Sequence, residues 1–178
     1  SAIGLITGIC LFTSCTKKQD YGNTAVEKMS SGWWVLAYSS KNGPIVIPPP
    51  ASWDTASNHI FFVTYNTSGD SSNAIWVDDL EGIGSPYDVK AVLDANLADY
   101  TMSSTGAPNE YDPNNSVTWA SGKIFPKGGL SRTGVVTDSI FVQFLLANNP
   151  GDTLTIRGVA RTGFDADEWP AQPYTTTP

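Results

Sequence analysis

Eight segments of this chain carry the alternating or continuous Val, Ile, Thr and aromatic pattern of β-strands, each bounded by Gly, Pro, Asn, Asp or Ser. They are Trp33 to Ser39, His59 to Thr67, Asn73 to Asp79, Tyr87 to Asp94, Asp99 to Ser103, Ser116 to Phe125, Asp138 to Asn148 and Thr153 to Thr162. The separators act by distinct physics. Gly43-Pro44 and Pro48-Pro49-Pro50 remove backbone donors and force extended or turn geometry, which predicts a long loop rather than a hairpin between the first two strands. Ser68 to Ser72 and Asn148 to Asp152 are turn chemistry, and Pro108 and Pro113 mark a further loop. No amphipathic helix of crossover length separates any pair, so sequence neighbours are expected to pair antiparallel. Closing such a meander removes its exposed edges. The expected fold is all-β, an antiparallel eight-stranded up-and-down barrel, with a two-sheet β-sandwich as the alternative.

Side-chain parity adds a second expectation. In the second strand Ile60, Phe62 and Thr64 oppose Phe61, Val63 and Tyr65; in the seventh Ile140, Val142, Phe144 and Leu146 oppose Phe141, Gln143 and Leu145. Both faces are largely apolar, whereas a half-solvated antiparallel sheet alternates apolar with polar. Something therefore covers the second face, and a barrel of eight strands is about wide enough to fill with its own side chains or to hold one small ligand. Trp33, Trp34, Trp53, Trp76, Trp119 and Trp169 bear on that choice, each offering a large apolar surface with one N–H that needs a partner when buried. Because Trp33 and Trp34 are adjacent on a strand, at most one lines the interior. The candidate ligand-binding set is Trp34, Phe62, Tyr65, Trp76, Trp119, Phe144 and Arg161.

Ahead of the first strand, Ser1 to Cys15 is apolar until Thr13-Ser14 and turns abruptly polar at Thr16-Lys17-Lys18. The run is too short to cross a hydrocarbon core of ~30 Å as a helix. It resembles the bacterial lipoprotein signal, in which a cysteine is acylated and becomes the mature N-terminus. That resemblance implies a signal peptide over 1–14, a lipidated polar tether over 15–31 with at most a short helix near Thr24 to Met29, and a single barrel domain over 32–178. Cys15 is the expected lipidation site, two acyl chains being what stable anchoring needs. With Cys10 in the cleaved segment and Cys15 acylated, no disulfide or cysteine metal site is expected. A net charge of −7 disfavours nucleic acid, which requires clustered Lys and Arg.

The chain also resembles a Bacteroidetes lipoprotein family catalogued as lipid-binding putative hydrolases. The likeness rests on Gly32-Trp33-Trp34-Val35, Val63 to Ser68, Ala74 to Asp79, Asp138-Ser139-Ile140, and above all Arg157 to Phe164 followed by Asp165, Asp167, Glu168 and Trp169. It implies a lipocalin/calycin-like barrel, surface lipoprotein status in the cell envelope, and an apolar or amphipathic ligand. Gly32-Trp33-Trp34 is also similar to the Gly-x-Trp that opens the lipocalin barrel, which implies that Arg157 or Arg161 packs over a tryptophan by a cation–π contact.

Hydrolysis by a serine nucleophile needs a base and an orienting acid, and His59 is the one imidazole; no Gly-x-Ser-x-Gly occurs. Carboxylates at Asp78-Asp79-Glu81 and at Asp165, Asp167 and Glu168 are candidates for acid and base roles or for a calcium ion, but neither set has the spacing of a known loop. No catalytic residue, cofactor or metal is therefore assigned. Arg161 is a candidate either for a lipid headgroup or for a bridge to Asp165, Asp167 or Glu168. Asp54-Thr55-Ala56, Asp138-Ser139-Ile140 and Asp152-Thr153-Leu154 resemble O-glycosylation sites of Bacteroides-type periplasmic proteins, with Thr55 in a loop. The expected function is a membrane-anchored lipoprotein binding a small lipid-like molecule inside its barrel. The alternatives are an accessory subunit of a cell-surface complex and a weak hydrolase.

Overall fold

The computed structural model describes residues 23–46 and 58–169. Cys15, the segment 1–14, Pro48-Pro49-Pro50, Trp53 and Thr55 lie outside the described residues. The strands are β1 (Ser31–Ser39), β2 (Gly43–Pro44), β3 (Ile60–Asn66), β4 (Ala74–Asp78), β5 (Lys90–Asn96), β6 (Thr101–Ser104), β7 (Val117–Leu130), β8 (Val136–Leu146) and β9 (Thr153–Ala160). From β3 onward each strand is hydrogen-bonded to the next, β1 pairs with β3, and β1 also pairs with β9. Eight strands thus close into an antiparallel barrel. The closing seam runs in register from Trp33↔Ala160 to Ser39↔Leu154.

Three elements differ from the sequence reading. The chain after β1 returns at once, with Tyr38 and Ser39 pairing to Pro44 and Gly43, so a tight hairpin stands where a simple loop was expected. Proline is tolerated because β2 lies where no further strand needs its missing donor. The second difference is β7, which runs on to Leu130, past Pro126. A register shift between Phe125 and Gly129 absorbs the proline, with Lys127 at φ 55 and its N–H donating to Asp138 at 2.7 Å. Third, the short helix allowed near Thr24 to Met29 is a 3₁₀ turn docked on the barrel. Val26 and Met29 are fully buried beside the 3₁₀ turn Glu27–Met29, and the Thr64 hydroxyl donates to the Met29 carbonyl at 2.6 Å. Two apolar side chains in a polar stretch suffice to dock it, because the exposed Glu27 and Lys28 between them face water.

The parity of the strands is as expected. Ile60, Phe62 and Thr64 of β3 and Ile140, Val142, Phe144 and Leu146 of β8 point inward. They join Trp33, Val35, Ile75, Val77, Leu93, Met102, Ile124 and Ile156 in one continuous core. A void the size of a water molecule would leave its lining atoms accessible, yet Val35, Phe62, Ile75, Val77, Val142, Phe144 and Ile156 are all 0% exposed. Around these residues the barrel is filled by its own side chains, the outcome that a small barrel permits. Trp33 satisfies its N–H inside by donating to Thr64 Oγ1 at 2.9 Å. Phe62 and Phe144, two of the candidate ligand-binding residues, are fully buried within this core.

Candidate functional site

The apolar residues on the opposite parity lie outside the wall. Along the seam of β1 with β9 and of β9 with β8, Arg157 stands directly opposite Leu36 on one side and Phe141 on the other. These three residues are the common boundary of two grooves on the outer surface, each about 470 Å³. One runs toward Trp34, His59, Phe125, Leu130 and Trp169; the other runs toward Tyr38, Pro44, Ile45 and Asn58. Leu36, Phe141 and Tyr38 keep 36%, 38% and 49% of their surface in water. Open, apolar and concave, with volumes in the usual range for ligand sites, this face is the candidate site.

Its floor depends on one glycine. A methyl group on Gly158 would stand 2.0 Å from the Trp34 carbonyl oxygen and 2.7 Å from Val35 Cα. The backbones of β1 and β9 therefore approach more closely than any side chain allows, and the seam stays flat between Leu36 and Phe141.

The upper end of the groove is an aromatic and charged cluster. His59 stacks on Trp169 with ring centroids 3.7 Å apart, and the Arg132 guanidinium lies 5.3 Å from the Trp169 ring centre. Burial lowers the His59 imidazole below its ordinary value, and Nδ1 has no hydrogen-bond partner among the described residues. Trp34 leans on Phe61 at 5.2 Å and donates its indole N–H to Glu168 Oε2 at 2.9 Å. Glu168 holds Arg161 with its other oxygen, Arg161 Nε lying 2.5 Å from Oε1, and the guanidinium sits over Phe61. Of the two roles open to Arg161 it takes the structural bridge. The cation–π contact expected at a tryptophan is made by Arg132 on Trp169, while Arg161 stacks on Phe61.

The remaining candidate residues are scattered. Tyr65 and Trp76 stack on each other outside β3 and β4, with centroids 6.2 Å apart, and Trp119 lies across from Leu145 outside the β7–β8 pair. Trp34 alone among the seven lines the groove. Leu36, Phe141 and Arg157 were absent from that set, although the two-sided apolarity of β8 was the signal that pointed to them.

The acidic candidates are committed to the fold. Asp167 accepts hydrogen bonds from the hydroxyls of Thr133, Thr162 and Ser131, and those bonds hold its carboxyl well below the ordinary range. Asp152 is raised by burial but drawn down further by Ser39, the Lys41 N–H, Tyr87 and Ser40, so its net direction is downward. Asp78 takes the hydroxyls of Tyr65 and Tyr111 and pairs with Lys90 at 3.1 Å. Asp79, beside it, is fully buried. Desolvation pushes it up to about 8, with nearby Asp88 adding to the rise, although the Ile83 and Val89 N–H groups donate to its two oxygens. The turn that follows places both Leu80 and Glu81 in the left-handed region, a strained arrangement for side-chain-bearing residues. Among the described residues no group of three or more His, Cys, Asp or Glu is placed to hold a metal ion, and no helix is long and apolar enough to cross a membrane.

A closed eight-stranded antiparallel barrel with a continuous buried apolar core and an apolar external groove defines the class. The sequence matches the family described as "Lipid-binding putative hydrolase" over residues 18–165, and the chain belongs to that family. A solved structure from Bacteroides ovatus, titled as a structural-genomics protein of unknown function, is similar at 14% identity and a TM-score of 0.43. The alignment covers 75% of this chain and 42% of that one, so this chain spans less than half of its length. No curated protein matches the sequence.

Proposed function

We propose that this protein binds a lipid-like amphiphile on the outside of its barrel, in the groove over β8, β9 and β1, while acylated Cys15 anchors it to the membrane of a bacterial cell envelope. One observation carries the ligand reading: apolar surface around Leu36 and Phe141 is left open to water in a groove on the outer wall, while the described core residues of the barrel are fully buried. The lipid-binding description of the family supports it. Burying such surface against an acyl chain stabilises a complex by roughly 25 cal/mol per Å². The hydrolase part of the family description has no matching constellation among the described residues: the Ser131 hydroxyl donates to Asp167 and the His59 ring stacks on Trp169.

Native mass spectrometry of protein purified from its own organism tests this. An acyl lipid carried by the wild type and absent from a Phe141→Asp variant supports the proposal; a wild type free of lipid that also fails to take up a fluorescent fatty acid overturns it. A second reading, an accessory subunit of a surface complex, draws on Leu130 and Val136, which leave 62% and 59% of their surface exposed at the tip joining β7 to β8. It predicts a co-purified protein chain that Val136→Asp releases. For the anchor, Cys15→Ala should shift the protein from the membrane fraction to the soluble fraction, and a variant still in the membrane fraction would refute it.

A further inference from the structure

We infer that the groove selects an anionic amphiphile, and that Arg157 is the residue that reads its carboxylate or phosphate headgroup. This rests on the groove being the lipid-like site. Arg157 belongs to both halves of the groove and lies between Leu36 and Phe141, so a headgroup held there leaves its chain an apolar path along either half. Among the described residues it has no ion pair, and arginine donation is confined to Arg132 and Arg161. Arg132, the other cation of the groove, already donates to the Glu168 carbonyl and covers Trp169.

The charge of the surroundings sharpens this. The chain carries 17 acidic residues against 10 Lys and Arg, yet no Asp or Glu lines either half of the groove. A surface this acidic repels anions in general, and the acid nearest the groove among the described residues, Glu168, is already held by Arg161 and the Trp34 indole, which leaves the Arg157 guanidinium uncommitted. Arginine suits the task because its planar fork donates two parallel hydrogen bonds to a carboxylate or phosphate, and because its stem packs on apolar neighbours. A site built only to hold a neutral chain gains nothing from a cation at its midpoint, since desolvating an unpaired charge opposes binding.

The test is competitive displacement of a fluorescent fatty acid from the full chain by dodecanoate, dodecyl phosphate and dodecanol. Wild type should bind at least one of the two anions about ten-fold or more tighter than the alcohol, and the stronger of the two names the headgroup. Arg157→Gln should bring that ratio to about one, and Arg157→Lys should restore part of it. A thermal midpoint for Arg157→Gln equal to wild type establishes that the variant is folded. Equal wild-type affinity for anions and alcohol overturns this inference and leaves the lipid-like site standing, as does a ratio that survives in Arg157→Gln. Failure of the fluorescent acid and all three competitors to bind overturns both.

Discussion

Trp33 and Trp34 are neighbours in sequence, and so are Phe61 and Phe62, yet each pair is split between the two sides of the barrel wall. Trp33 and Phe62 face inward, where packing leaves them 1% and 0% exposed. Trp34 and Phe61 face outward, where they lean on each other and on the Glu168–Arg161 pair. Farther along the same outer face, Leu36 and Phe141 have no such cover and keep 36% and 38% of their surface in water. The comparison teaches that apolar content alone does not locate a binding surface: the same residue types stabilise the fold on one side of a strand and stay open to water on the other.

Substitutions that break this contrast should separate stability from binding. The largest effect belongs to Gly158→Val, whose side chain collides with the Trp34 carbonyl; it should destabilise by more than about 3 kcal/mol and abolish the groove with the seam. Urea unfolding with intrinsic tryptophan fluorescence reads it, and a near-native midpoint would show that β1 and β9 can part without harm. Phe144→Ala, inside, should lower stability by about 3–5 kcal/mol while the folded fraction keeps its affinity for a fluorescent fatty acid. A loss of affinity out of proportion to stability would place the ligand in the interior after all.

The buried carboxyl of Asp79 gives a pH signature. Its folded-state value of about 8 exceeds the unfolded value, so this group's contribution is complete below about pH 4 and is lost as pH rises toward 8. The slope is at most about 1.4 kcal/mol per pH unit for one proton. Asp79→Asn should flatten the decline in urea midpoint between pH 5 and 8, and an unchanged slope would remove Asp79 as its source. Phe141→Ala, on the outer wall, should move stability by less than about 1 kcal/mol and weaken fatty-acid binding several-fold. Smallest is Arg161→Ala, where a half-exposed ion pair is worth about 0.5 kcal/mol or less, read as a small drop in Tm with affinity retained.

Much of the wall was legible in the sequence because strand parity is a local property. Ile60-Phe61-Phe62 and Ile140-Phe141-Val142 show their two faces without any tertiary information, and turn residues mark most strand ends. What parity does not say is which residues of separate strands stand side by side. That follows from register across the seam, and the register of Leu36 and Phe141 on Arg157 exists only once β1 has met β9. For this reason the sequence reading names Trp34 for a ligand inside the barrel and leaves out Leu36 and Phe141. Pro126 hid the far half of β7 because the bulge that accommodates it depends on a hydrogen bond from Lys127 to Asp138 on the next strand. Val26 and Met29 were hidden by polar neighbours, as two isolated apolar residues make no periodic pattern.

The seam between β1 and β9 has a consequence for how the chain reaches its native state. Residues 33–39 must find residues 154–160, a separation of more than a hundred positions, before any cylinder exists. Until then the nascent polypeptide holds an open sheet with two bare edges and its greasy outer strip unshielded, the kind of intermediate that other strands capture. Biogenesis of this protein should thus be slow and dependent on chaperones, with the final strand acting as the lock.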